Sequence, residues 1–324
     1  MATKRGIQEL TRQLLDPSRS NAALLGLLEI GREAVPALAE FLRTAKPSTV
    51  AEPRLLAVEA LSLLRTGEGL EALCAVATEN LAAIPDPAVR LAEESVVSRA
   101  ARALAEFAEP QVRTTLLQLV RGKPLLGVAE AFERIKDPRA LPALVYWLQE
   151  DFYAQAAERA IVATGHAAVP WLLAYLKQRE TAYDLETGAS QRRRALILEV
   201  LANLGGAHLV PVFEHHLDDP VEDVRWGAAR ALVQHGNNDQ KRQALRVALQ
   251  MLDSSANSRR VEGEELLAEH LHLCADLVEE EVRRRRAQGE SEKPLAPRES
   301  TLEILLRLRG KIESLRRPTT QCKT

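Results

Sequence analysis

His270, His272 and Cys274 are the residues of this sequence whose types and spacing most invite a metal ion. Around them Leu266, Leu267, Leu273, Leu277 and Val278 recur at helical spacing. On a helix, His272 points away from the face shared by His270 and Cys274, so the trio reads as structural and no metal site is expected. The neighbours His215 and His216 diverge for the same reason, and His216 sits in the register of Phe41, Trp147 and Tyr175, which marks it as a core-edge residue. Gly67-Glu68-Gly69 lacks the third glycine and the preceding strand of a dinucleotide site, no phosphate-cradling loop ending in Lys-Ser/Thr occurs, and Gly67 is explained as a helix stop. Arg192, Arg193 and Arg194 fall at a helix start, where the dipole disfavours cations. Either the acidic Asp184 and Glu186 neutralise them, or they await an anionic partner. The run Arg283 to Arg286 follows Glu279 to Glu281, so each glutamate meets an arginine four residues on, as in a solvated helix end. With no catalytic constellation and no cofactor signature, the residues predict a protein that is not an enzyme and holds no cofactor.

The elements behind these residues are helical. Of 324 residues 46% are hydrophobic but only 4% aromatic, which makes a core of Leu, Ala, Val and Ile and favours helices over strands. The 43 Lys and Arg against 45 Asp and Glu give a net charge of -2, without the strong pull toward nucleic acid or anionic membranes that a basic chain would have. Cys74, Cys274 and Cys322 are widely spaced and form no C-x-x-C, which predicts a reducing compartment. Met1 to Glu9 contains no apolar run of the secretory kind, so a cytoplasmic protein is expected. The apolar stretch Ala160 to Leu176 is broken by Gly165, His166 and Pro170 and reads as two packed helices and their turn.

A repeat organises the chain. Val224 to Gly236 is a helix rich in small and apolar residues closed by glycine, and Ala168 to Leu176 is a helix opened by proline. Inter-helix turns fall at Gly31, Gly67, about Glu109, about Lys136, Gly165, Gly205 and Gly236. Proline-opened helices stand at Val35-Pro36, Leu141-Pro142, Val169-Pro170 and Val210-Pro211. Their apolar register repeats: Leu38, Leu144, Leu172 and Phe213 two residues after the proline, and Leu42, Leu148, Leu176 and Leu217 six after it. Long repeats carry their excess after the second helix, at Thr44 to Pro53, Thr78 to Arg90 and Lys177 to Arg192, which places the three insertions on one edge of the stack.

These helices resemble HEAT repeats, in particular the bacterial HEAT-like repeats named after the phycobilisome lyases. The resemblance implies an all-α, right-handed α-solenoid of about seven HEAT-like helix pairs, with proline-opened helices lining the concave side and capping helices at the carboxyl end. The expected boundaries are a solenoid over 1–252 with an amino-terminal cap helix at 1–16, a helical capping segment over 253–286, a linker over 287–298, and an amphipathic helix over 299–317. That last helix opens with a Ser300/Glu303 capping box and carries Leu302, Leu305, Leu306, Leu308, Ile312 and Leu315 beside Arg307, Arg309, Lys311, Arg316 and Arg317. It either folds back as a cap, or docks on another protein or a second copy. The HEAT-repeat di-iron hydroxylases use His-Glu pairs as ligands, and none of the seven histidines precedes a glutamate.

Nine of the twelve aromatic residues lie between Tyr146 and Trp226. Tyr146 and Trp171 stand off the apolar stripe of their helices and should face the concave groove, where exposed aromatics act as binding anchors. His215 neighbours them, and Lys241, Arg242 and Arg246 extend the groove with positive charge. The expected function is a scaffold or adaptor that binds a protein or peptide through Tyr146, Trp171, His215, Arg242 and Arg246, with Arg192 to Arg194 as an alternative anion site, Arg283 to Arg286 joining them as phosphate contacts if the partner is a nucleic acid, and no membrane contact. Two alternatives follow from the family resemblance: a nucleic-acid-binding protein of the HEAT-like DNA-glycosylase type, and a bilin-lyase-like chaperone of chromophore attachment.

Overall fold

The computed structural model describes residues 3–290 and 300–316. Most of the expected linker, and with it Arg317 and Cys322, lies outside the described residues. The fold class is an all-α solenoid built of helix pairs. Two compact units divide it, Met1–Trp171 and Leu172–Thr324.

The first unit opens with α1 (Lys4–Gln13), which packs on the first pair. Five helix pairs follow: α2 (Ser20–Ile30) with α3 (Val35–Thr44), α4 (Glu52–Leu64) with α5 (Gly67–Ala77), α6 (Pro87–Leu104) with α7 (Pro110–Leu119), α8 (Leu126–Ile135) with α9 (Leu141–Trp147), and α10 (Ala154–Thr164) with α11 (Val169–Leu176). The unit boundary falls within α11. The second unit continues through a short hairpin, β1 (Thr181–Ala182) and β2 (Leu185–Glu186), and then two more pairs. These are α12 (Gly188–Leu204) with α13 (Val210–His215), and α14 (Glu222–His235) with α15 (Asn238–Met251). It ends in α16 (Asn257–Glu269), α17 (Leu271–Ala287) and α18 (Thr301–Arg316).

The proline register is the core. Val35, Leu141, Val169 and Val210, with the residues three and seven further on, are all buried, so in each case the proline-opened helix turns the same stripe inward. Each of these helices is entered through a single 3₁₀ turn, and the proline occupies its first turn, where a missing N–H costs nothing. Gly31, Gly165 and Gly205 close their helices at positive φ, as the turn requires. Two expected stops differ. Arg65 itself takes the left-handed conformation that ends α4, and Gly67 instead opens α5 beneath an N-cap from Thr66. Gly236 ends α14 with an ordinary negative φ.

The first helices of successive pairs approach closely where a small residue allows it. The N–H of Gly127 on α8 donates to Ser98 Oγ on α6 at 2.8 Å, and a β-carbon at Gly127 would lie 1.8 Å from the Ser98 carbonyl oxygen. At the carboxyl end the helical spacing around His270 is interrupted: the chain breaks there into α16 and α17 with His270 at φ −115°, ψ 28°. The last helix takes the capping alternative. It packs on α16 and α17, buries Leu302, Ile304, Leu305, Leu308 and Ile312, and is tied down by Thr301 Oγ1 donating to the Leu252 carbonyl. Ser300 and Glu303 exchange the two hydrogen bonds of a capping box. Among the described residues no helix is long and apolar enough to cross a membrane.

The α6–α8 contact makes a direct test. Gly127→Ala is expected to force these helices apart and destabilise the chain by about 1–3 kcal/mol, read as a lower urea midpoint. An unchanged midpoint would show that the close approach is not required.

Candidate functional site

In the first unit Tyr146 on α9 and Trp171 on α11 are 46% and 42% exposed, whereas Trp147, one residue on from Tyr146, is buried. The register explains this. The proline fixes where each helix begins, the buried stripe runs through positions one before and two and six after it, and Tyr146 and Trp171 fall between those positions. Their rings therefore stand at the surface. The aromatic cluster read from the sequence otherwise separates by burial. Phe213 and Trp226 are core, the indole N–H of Trp226 donating to Glu262 at 2.7 Å under the Arg259 guanidinium. Tyr153 and Tyr175 are half-buried.

In the second unit α11 and α13 flank a groove of about 470 Å³ with Leu173, Pro211 and Val212 on its apolar side and Lys177, Arg179 and His215 on its polar side. His215 is exposed. His216 also lines the groove and is half-buried, its ring edge-on to His215 at 5.1 Å. Its Nδ1 lies 2.8 Å from the Val212 carbonyl, which can only accept, so Nδ1 carries the proton. Burial pushes the His216 pKa below the usual imidazole value, with the neighbouring His215 and Arg194 adding to the effect, and the ring is neutral at pH 7.

The arginine triplet resolves toward internal neutralisation. Arg192 is exposed, but Arg193 and Arg194 are buried within α12 and are not presented to an outside anion. Arg193 meets Glu180 at 2.7 Å, and Arg194 meets Glu186 at 2.9 Å, pairs closely with Asp219, and donates to the Leu176 carbonyl. Glu186 was expected in this role and Asp184 was not needed. Asp219, buried in the loop after α13, was not foreseen, because it is distant in sequence and reaches Arg194 only through the packing of successive pairs. It also accepts from Arg179 and from the N–H of Val221.

Arg242 and Arg246, expected beside His215, do not line its groove. Arg242 forks onto Asp276 of α17 at 2.5 and 2.9 Å and reaches the Leu273 carbonyl, so it is a clamp between α15 and α17 rather than a groove residue. That hydrogen bond pulls the Asp276 carboxyl down to about 2. Arg246 remains exposed on α15. His270 and Cys274 are also absorbed: His270 Nδ1 meets the Leu266 carbonyl, and Cys274 donates to the Leu267 and His270 carbonyls with its thiol pushed up to about 11 by burial. The arginine run after Glu281 follows the solvated-end reading only in part, because Arg285 is buried and gathers Asp253, Glu281 and Glu290.

Two surface features escaped sequence reasoning. Phe152, 75% exposed and edge-on to Tyr153 at 5.0 Å, joins the exposed Leu91 and Leu126 around a surface groove in the first unit. Tyr183, 99% exposed, stands at the turn of the β1–β2 hairpin. No Asn-Gly or similar signal marks that turn in the sequence.

No family model and no curated protein matches the chain. Among solved structures it is similar to the complex of CpcE and CpcF of phycocyanin lyase from Nostoc sp. PCC7120, at 17% identity over 83% of this chain and 96% of that one, with a TM-score of 0.29. The expectation that the chain is not an enzyme is corrected by this finding: the matched protein is a lyase, and the lack of a legible catalytic constellation does not exclude catalysis.

Two outcomes follow from the ion pairs. Asp219→Ala takes from the buried Arg194 guanidinium one of its two carboxylates, leaving only Glu186, and is expected to cost about 3 kcal/mol, while Asp219→Leu with Arg194→Met removes both charges of that pair and costs less. Equal losses in the two variants, measured by urea unfolding, would show that the charge is not what matters. The Arg242–Asp276 pair acts on pH. A carboxyl lowered from 3.8 to about 2 contributes stability that is complete above about pH 5 and is lost as the pH falls toward 2. Wild type and Asp276→Asn should therefore differ in urea midpoint at neutral pH and converge near pH 2.

Proposed function

We propose that the chain is an interaction scaffold that binds a protein or peptide through side chains set off the buried register of its proline-opened helices. The observation that supports this most is the exposure of Tyr146 and Trp171 one residue away from buried positions of the same helices. A large aromatic ring left at the surface by a helix that buries its neighbours is the residue type that dominates binding energy, and it costs little side-chain entropy to immobilise. His215 and Arg246, exposed on α13 and α15 of the second unit, supply polar contacts to the same kind of partner. The burial of Arg193 and Arg194 speaks against the nucleic-acid alternative, which needed them as phosphate contacts.

The test is affinity capture from an extract of the source cells, followed by titration of each captured protein against wild type and Tyr146→Ala/Trp171→Ala. The double variant is expected to fold normally and to bind its partner about 30-fold or more weakly. Partners held with unchanged affinity would remove the two aromatics from the site.

A further inference from the structure

The hairpin between α11 and α12 is built at a cost. Thr181 pairs with Glu186 and Ala182 with Leu185, which leaves Tyr183 and Asp184 as a two-residue turn with φ of 52° and 64°. Positive φ at both positions is the turn for which Asn-Gly is preferred, and a residue with a β-carbon is strained there. The strain is held by the base. Thr187 N–H donates to the Glu180 carbonyl at 2.8 Å, Ser190 bridges Glu180 and Glu186, and buried Arg193 and Arg194 grip those two glutamates. The result is a short, rigid arm whose tip offers an aromatic ring at 99% exposure, a carboxylate, and Leu185 at 74% exposure. Among the described residues those three side chains are exposed and enter no hydrogen bond or ion pair.

The α11–α13 groove carries the complementary chemistry in the same unit. Leu173, Pro211 and Val212 give it apolar walls. Lys177 is exposed and enters no ion pair among the described residues, while Arg179 is half-exposed with a single 3.3 Å contact to Asp219. Arg194 behind them is already neutralised by Glu186 and Asp219. The groove therefore favours a segment that carries an apolar or aromatic side chain next to a negative charge. Tyr183-Asp184-Leu185 is such a segment, and at 99% exposure Tyr183 does not enter the groove of its own chain.

We propose that two copies of the chain associate by reciprocal insertion, each placing its Tyr183-Asp184-Leu185 tip into the α11–α13 groove of the other. Arm and groove are joined through Lys177 to Glu180, so one two-fold axis satisfies both insertions, and an isologous contact of this kind closes at a dimer. The arm projects about 10 Å beyond its base at about 3.3 Å per residue, enough to cross such an axis. Each tyrosine buries about 150–250 Å², and with Leu185 and the groove walls the two insertions come to about 1,000 Å², the lower end for a specific interface. A dimer of micromolar affinity follows, tightened at low salt by Asp184 facing Lys177 and Arg179. The proposal uses the second unit alone and does not depend on Tyr146 or Trp171.

Sedimentation velocity of the full chain from about 1 to about 300 µM brackets that affinity. Wild type is expected to shift from monomer to dimer. Tyr183→Asn with Asp184→Gly installs the turn sequence the hairpin prefers, so the fold should be retained or stabilised by circular dichroism while dimerisation weakens at least about tenfold. Lys177→Glu and Asp184→Lys should each weaken the dimer, and the two combined in one chain should restore it in part, because position 184 of every inserted tip then meets the opposite charge at position 177. A monomer at the highest concentration, a dimer indifferent to Tyr183→Asn/Asp184→Gly, or a charge swap that fails to restore association would each overturn the proposal.

Discussion

The structure depends on buried arginines that join a helix to the loops beside it. Arg54 in the first turn of α4 grips Glu93 on α6 and Glu79 in the loop after α5. Arg194 on α12 grips Asp219 in the loop after α13 and Glu186 in the hairpin before it. Arg285 on α17 reaches Asp253 in the loop after α15. A guanidinium out of water is tolerated only when carboxylates and carbonyls surround it, so each arginine fixes the position of every loop that supplies one. Burial pushes the Glu93 carboxyl up while Arg54 pulls it down, with burial the larger effect, a measure of how dry this junction is.

This constraint gives the insertions their character. A solenoid with apolar contacts alone would leave the excess residues after each second helix as slack, since loop length costs little. Here Ser48 in the first insertion donates to Glu93, Glu79 in the second pairs with Arg54, and Glu180 and Glu186 in the third are held by Arg193 and Arg194. Arginines that the sequence offers as an anion site instead hold the chain's own loops. The preorganisation is what lets two residues at positive φ persist at the tip of the third insertion.

The aromatic residues show how one helical register separates two uses of the same residue type. Trp147 and Phe213 fall on or beside the buried stripe and pack, while Tyr146 and Trp171 fall off it and face solvent. Arg242 and Arg246 share a helix yet differ in the same way, one clamped to Asp276 on α17 and the other exposed.

The sequence by itself determined the helix pairs, because proline at a helix start, glycine or a tolerated left-handed residue at a stop, and a stripe of leucine and valine at offsets of three and four are local signals that need no partner to be read. It also determined that Tyr146 and Trp171 would be exposed, since register follows from the proline. Only the tertiary structure decided which distant partners the buried charged residues take. Asp219 lies 25 residues from Arg194, Glu93 lies 39 from Arg54, and Asp276 lies 34 from Arg242. Which carboxylate reaches which guanidinium depends on how one helix pair is stacked on the next, and a buried charge takes whichever partner that stacking brings within reach.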